Sequence, residues 1–187
     1  MAQVTMTQPA EIAFQPEEWQ DRTLADLIRY IVSKHHTYLR EKLPVIENLL
    51  VGARAAELAR LTSVFRQFRR GIEEHLKKEE AILFPMIEKV ETARHAGQEP
   101  PRFPFGSIAH PISVMEQEHE RARQELAQLR TLTTGYTTFP GLSDGPSSAL
   151  GKLHDVERDL EVHSRLEDEI LFPRAIDLER YRHGGED

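Results

Sequence analysis

The sequence predicts an all-α fold, an up-down-up-down four-helix bundle, and three observations carry that prediction. Four long segments space their apolar residues three and four apart, as helices that bury one face do. The stretches between them are rich in Gly, Pro, Ser and Thr, and none alternates apolar and polar residues as a half-buried strand does. The second and fourth segments also share a motif, so the chain reads as one helical hairpin used twice.

The 187 residues suit one domain, with residues 1–20 as a loosely packed tail, anchored by Trp19, and residues 21–183 as the bundle. The first helix is expected to start near Asp21 or Thr23, where Thr23 and Asp26 resemble a capping box. It runs through Leu24, Leu27, Ile28, Ile31, Tyr38 and Leu39, and Pro44 should kink it or end its first part. The second helix is predicted over about residues 55 to 91, the third over about 108 to 132 and the fourth over about 147 to 182. ARHAGQEPPRFPFGS and TTGYTTFPGLSDGPSS connect the last three and are long enough to be lids or spacers. Connections of this length favour antiparallel neighbours, and the core of such a bundle is a common place for a cofactor.

Composition narrows the function. With 39% hydrophobic and 29% charged residues, and no run of about 18 uncharged apolar residues, the sequence does not read as membrane-spanning. A formal charge of −7 argues against binding nucleic acid or an anionic membrane, and RQFRR at 66–70 is followed by Glu73 and Glu74, as on a solvated helix face. The first residues lack the basic segment and apolar run of a signal peptide, so the expected compartment is the cytoplasm. The absence of cysteine excludes a thiolate nucleophile and a cysteine-held iron–sulfur cluster within this sequence. Any metal must be held by His and carboxylate.

Such residues stand in the repeat. HLKKEEAILFP from His75 and HSRLEDEILFP from His163 agree at six of eleven positions, and His35 and His119 lie 40 and 44 residues upstream of the two histidines. Glu79 falls about 40° round from His75 and one turn on, as Glu167 does from His163, so each pair can face one core. His35 continues the Ile28, Ile31 stripe, and His119 belongs to the Ile112, Met115, Ala122, Leu126 stripe. Four histidines and two glutamates thus fall on apolar faces, and buried carboxylates call for a compensating cation.

The other polar residues are expected elsewhere. Glu80 and Asp168, about 140° from their histidines, should point away, and His36, about 100° off the His35 stripe, should face solvent, as should His154. His95 and His183 fall in a loop and a tail, and His110 reads as a capping group or one that orients a ligand. Glu116 and Asp159 are candidates to orient imidazoles, although a solvated face is the plainer reading. The two Phe-Pro pairs should bend helices 2 and 4 at matching points. Imidazole and carboxylate suit iron, but affinity alone does not select it over zinc or manganese.

HLKKEEAILFPMI, AHPISVMEQEH and HSRLEDEILFPRA resemble the haemerythrin-like, or HHE cation-binding, bundle over about residues 21 to 180. Within that family they look like the di-iron domain of iron–sulfur cluster repair proteins. The resemblance implies two non-haem irons, bridged by oxo or hydroxo, with His35, His75, His119 and His163 as terminal ligands and Glu79 and Glu167 as bridging carboxylates. Oxygen-carrying haemerythrins have a histidine four residues after the third-helix ligand, where this sequence has Arg123, which argues against simple oxygen carriage. Repair proteins commonly add an N-terminal domain with a cysteine pair; here that role would fall to a cysteine-containing partner. The implied function is a di-iron protein of nitrosative and oxidative stress, binding NO or O2 or donating iron to damaged iron–sulfur proteins. The alternatives are a di-iron oxidoreductase acting on NO or peroxide, an iron- or oxygen-responsive sensor, and a bundle without metal.

Overall fold

A computed structural model describes residues 14, 16–52, 58–139, 142 and 148–180. After a 3-10 turn, Pro16–Trp19, come α1 (Leu24–Ile31), α2 (Thr37–Gly52), α3 (Leu58–Lys78), α4 (Phe84–His95), α5 (Ala109–Leu132), α6 (Ala149–Leu166) and α7 (Phe172–Arg180). Five-residue π-turns, Val32–His36, Glu79–Leu83 and Glu167–Leu171, fuse α1 to α2, α3 to α4 and α6 to α7. The result is the predicted four rods, 24–52, 58–95, 109–132 and 149–180, and among the described residues the only β feature is an isolated bridge between Phe103 and Gly106. α1 packs on α4 and α2 on α3, so the first two rods run antiparallel; α2 also packs on α6, α3 on α5 and α4 on α7.

The starts of the first, third and fourth rods are held by side-chain oxygens that take up orphan helix N–H groups. Thr23 accepts from the Asp26 N–H at 3.0 Å, and Ser148 from the Gly151 N–H at 3.2 Å. Two remote carboxylates assist. Glu91, twelve residues beyond Glu79, accepts from the Leu24 and Ala25 N–H groups at 2.6 and 3.0 Å. Glu179, twelve beyond Glu167, accepts from the Ile108 N–H at 3.0 Å and from the Ser107 hydroxyl. The hairpin repeat therefore extends to its caps.

Pro44 does not end the first rod, which continues unbroken to Gly52. The carbonyl that Pro44 leaves without a donor is that of Arg40, an exposed residue, where water can take the place of the missing N–H. Trp19 is buried against the bundle; Arg174 donates to its carbonyl and to that of Arg22, both at 2.7 Å. Residues 1–13 and 15 of the predicted tail, His183, and most of the 140–147 connection lie outside the described residues.

The core is layered along the rods. One apolar cluster gathers Leu24–Ile31, Leu83–Val90, Ile108–Met115 and Leu166–Ala175; the other gathers Leu39–Leu50, Leu58–Leu76, Leu126–Leu129 and Ala149–Leu160. Between them every rod contributes buried polar groups: His35 and His36, His75 and Glu79, His119, then Asp159, His163 and Glu167. Two apolar layers thus enclose one polar layer, and charged side chains are kept in such a place only when they are paired or bind a metal.

Candidate metal centre

Two groups of potential ligands form in the polar layer, His36, Glu79, His163, Glu167 and His75, Glu79, His119, Glu167, each with its ligating atoms within 4.8 Å of one another. Glu79 and Glu167 belong to both groups and are fully buried. His75 Nε2 lies 3.1 Å from Glu79 Oε1, His119 Nε2 3.1 Å from Glu167 Oε2, and His163 Nε2 3.1 Å from Glu167 Oε1. His36 Nε2 is 3.4 Å from Glu79 Oε2. Five of the six sequence-predicted residues, His75, Glu79, His119, His163 and Glu167, are therefore brought together.

The sixth, His35, is not, and here the helical projection requires correction. His35 is buried, but its Nδ1 meets Asp159 at 3.0 Å and it joins neither group; His36, expected at the surface, is fully buried and takes the place. The cause is the π-turn Val32–His36, in which the Thr37 N–H reaches back five residues to the Val32 carbonyl. A π-turn brings residue i+5 over residue i, so His36 follows Ile31 on the core stripe where a regular helix would put His35. One sequence signal pointed there: His36 and Arg40 repeat the four-residue spacing of His119 and Arg123.

The matching turns in the second and fourth rods begin at Glu79 and Glu167, with Phe84 and Phe172 donating to the Glu79 and Glu167 carbonyls. They stand just ahead of Pro85 and Pro173, which have no N–H to give a regular ladder. The Phe-Pro pairs thus mark these π-turns.

Outer carboxylates fix three of the imidazoles. His36 Nδ1 is 2.6 Å from Glu80, His119 Nδ1 2.8 Å from Asp168 and His75 Nδ1 3.1 Å from Glu118. Arg40, Arg123 and Lys78 hold those carboxylates from outside, Arg40 on Glu80 at 2.8 Å and Arg123 on Asp168 at 2.7 Å. Glu80 and Asp168 do point away from the centre, as projected, yet they act on it through the histidines; Glu118 was missed, and Glu116 is exposed. Asp159 is buried on His35, while His110, exposed, donates to the Phe105 carbonyl at 2.7 Å. A carboxylate on Nδ1 selects the tautomer that leaves Nε2 a free lone pair, the form a metal needs.

The electrostatics follow from this crowding. Burial opposes charge on His75, but Glu79 and Glu118 outweigh it and push the imidazolium up to about 10. For His119 burial is likewise outweighed, by Asp168 and Glu167, and the value rises to about 9. His163, fully enclosed, is pushed down by burial. Glu167 lies well below the ordinary carboxylate range: burial and its neighbour Glu79 oppose ionisation less than the facing histidines favour it.

The donor set is one that could hold metal. Both oxygens of Glu79, Glu167 Oε2 and His36 Nε2 are buried without a hydrogen-bond partner, and the Nε2 atoms of His75 and His119 approach to 3.0 Å. Unsatisfied lone pairs converging in a dry layer are costly unless a cation takes them up. A cleft of about 590 Å³ between α3, α5 and α6 reaches His75, Glu118 and His119 from the surface.

This fold and this centre define a class of protein. The model of the Hemerythrin HHE cation binding domain matches residues 27–175, and the chain belongs to that family. It is similar to the iron-sulfur cluster repair protein YtfE of Pectobacterium atrosepticum, 30% identical over 182 residues that cover 89% of this chain and 73% of that protein. The YtfE protein of Edwardsiella ictaluri is 31% identical over 180 residues, covering 91% and 75%, and that of Yersinia pseudotuberculosis serotype IB is 30% identical over 172 residues, covering 86% and 69%.

Proposed function

We propose that the chain is a non-haem di-iron protein of nitrosative and oxidative stress that binds NO or O2 or gives up iron for the repair of iron–sulfur clusters. The observation that carries this is the shared pair of buried carboxylates: Glu79 and Glu167 each belong to both ligand groups. His36 and His163 would complete one iron, His75 and His119 the other, with both glutamates between them. Bound iron would supply one-electron chemistry and open positions for a diatomic ligand.

The protein's own groups have separate tasks. Glu80, Asp168 and Glu118 take up Nδ1 and aim three Nε2 atoms inward, where a metal would displace any proton they carry, and the two apolar layers keep bulk water from the centre. The cleft beside His75 and His119 gives a small molecule a way in, and it also supports the second reading, catalytic reduction of NO or peroxide. The names of the relatives support cluster repair as the use of the iron, with damaged iron–sulfur proteins as partners; a cysteine-containing protein is a further partner of this reading. The expected setting is the cytoplasm; among the described residues no helix is long and apolar enough to cross a membrane.

Elemental analysis of the purified chain tests the reading: about two irons per chain are expected. Anaerobic titration of the reduced protein with NO and O2, and iron transfer to an apo-cluster protein, then separate the uses. A folded chain that stays metal-free after anaerobic iron loading, or a loaded one inert in all three assays, overturns it. Multiple turnovers with a defined electron donor would establish the catalytic alternative.

A further inference from the structure

The polar layer holds one pair that the ligand set does not use. His35 and Asp159 are buried and hydrogen-bonded at 3.0 Å, and His35 Nε2 and Asp159 Oδ2 have no other partner. The His35 ring stacks on that of His163 at 5.7 Å and 10°, and it meets Tyr30 edge-to-face at 5.7 Å. Tyr30 in turn lies 4.8 Å from Trp19, the single tryptophan of the chain. Ring-to-ring contact therefore leads from His163, a proposed ligand of the centre, through His35, to the two kinds of side chain that lose a single electron most readily in a chain without cysteine.

We propose that Trp19, Tyr30 and His35 form a relay that carries oxidising equivalents away from the metal centre. The inference rests on the iron reading above. When hydrogen peroxide meets a centre already fully oxidised, it takes up two electrons and two protons and becomes two molecules of water. Tyr30 and Trp19 supply them, each giving one electron and one proton, from the phenol O–H and the indole N–H, and each is left as a neutral radical. Two molecules of a small thiol return a hydrogen atom to each ring and pair as a disulfide.

His35 is the bridge and is not itself oxidised; its bond to Asp159 holds the ring parallel to His163. Arg22 sits over Trp19 at 4.9 Å, and a cation on the ring face disfavours a radical cation, so the indole proton leaves with the electron. Tyr30 is partly exposed, which gives the thiol access, whereas Trp19 is only 5% exposed and poorly placed for attack by peroxide from solution.

The test uses the full chain, iron-loaded and air-oxidised, mixed with one equivalent of hydrogen peroxide, freeze-quenched for electron paramagnetic resonance and digested for peptide mass spectrometry. Expected are an aromatic radical and oxidation products at Trp19 and Tyr30. Tyr30→Phe should lose the tyrosyl component with its iron content and helical circular dichroism unchanged. Tyr136→Phe, stacked on His154 in the other apolar cluster, should keep the whole signal. A loaded protein without an aromatic radical, or a signal untouched by both Tyr30→Phe and Trp19→Phe, overturns the relay and leaves the iron reading standing. Equal oxidation of Trp19 in metal-free protein overturns it too, since the oxidant would then arrive from solution. A chain that takes up no iron overturns both.

Discussion

Two adjacent histidines show how finely the centre depends on single residues. His35 and His36 are both buried, but only His36 presents Nε2 to Glu79, while His35 is held by Asp159. His36→Ala is therefore expected to lower bound iron from about two to about one per chain or fewer, and His35→Ala to leave the count unchanged. Elemental analysis of both variants checks this, and the reverse result would restore the assignment made from helical spacing. The other converging residues were legible in the sequence because the repeat gave His75 and His163 a glutamate four residues on, and His119 stands on an apolar stripe upstream of the second copy. Glu118 was not, because nothing local links it to His75, which lies on another rod.

At the scale of the element, the π-turn is the device that sets the register. Val32–His36 contains one residue more than a regular turn needs, and Ser33 within it is exposed. Deleting Ser33 should turn the five-residue step from Ile31 to His36 into a four-residue α-helical one and keep both on the core stripe. The expected outcome is a folded protein with unchanged metal content; loss of one iron or more would show that the turn has a role beyond register. The caps make a separate case. Glu91 is buried and accepts two N–H groups at the start of α1. Glu91→Ala should cost roughly 1–2 kcal/mol, by analogy with lost N-caps, and lower Tm by several degrees with the iron-to-protein ratio intact.

For the whole molecule, the polar layer couples stability to pH and to metal. In metal-free protein His75 and His119 are raised from 6.5 to about 10 and about 9 by their carboxylates. Groups raised on folding stabilise fully below the unfolded value and cease to do so as pH rises through the folded one. The Tm of metal-free protein should therefore fall as pH climbs from 6.5 toward about 10. Glu118, held down near 2 by His75 and Lys78, has the opposite sign: its contribution is present above 4.5 and disappears as pH falls toward about 2. Metal binding requires unprotonated imidazoles, so in iron-loaded protein the alkaline decline should be absent. Melting curves of both forms across this range decide it, and parallel declines would refute the coupling.

The sequence by itself determined the four rods, their antiparallel order, the apolar face of each and five of the six residues that converge. Those features follow from local periodicity and from an internal repeat, both of which are properties of the chain read in one dimension. Only the tertiary structure decided between His35 and His36, kept α2 running through Pro44, and joined Glu91 and Glu179 to rod ends far away in sequence. Each of these depends on groups from different rods meeting in one layer, or on a turn whose hydrogen bonds reach one residue further than the regular helix, and no spacing rule along a single helix contains either.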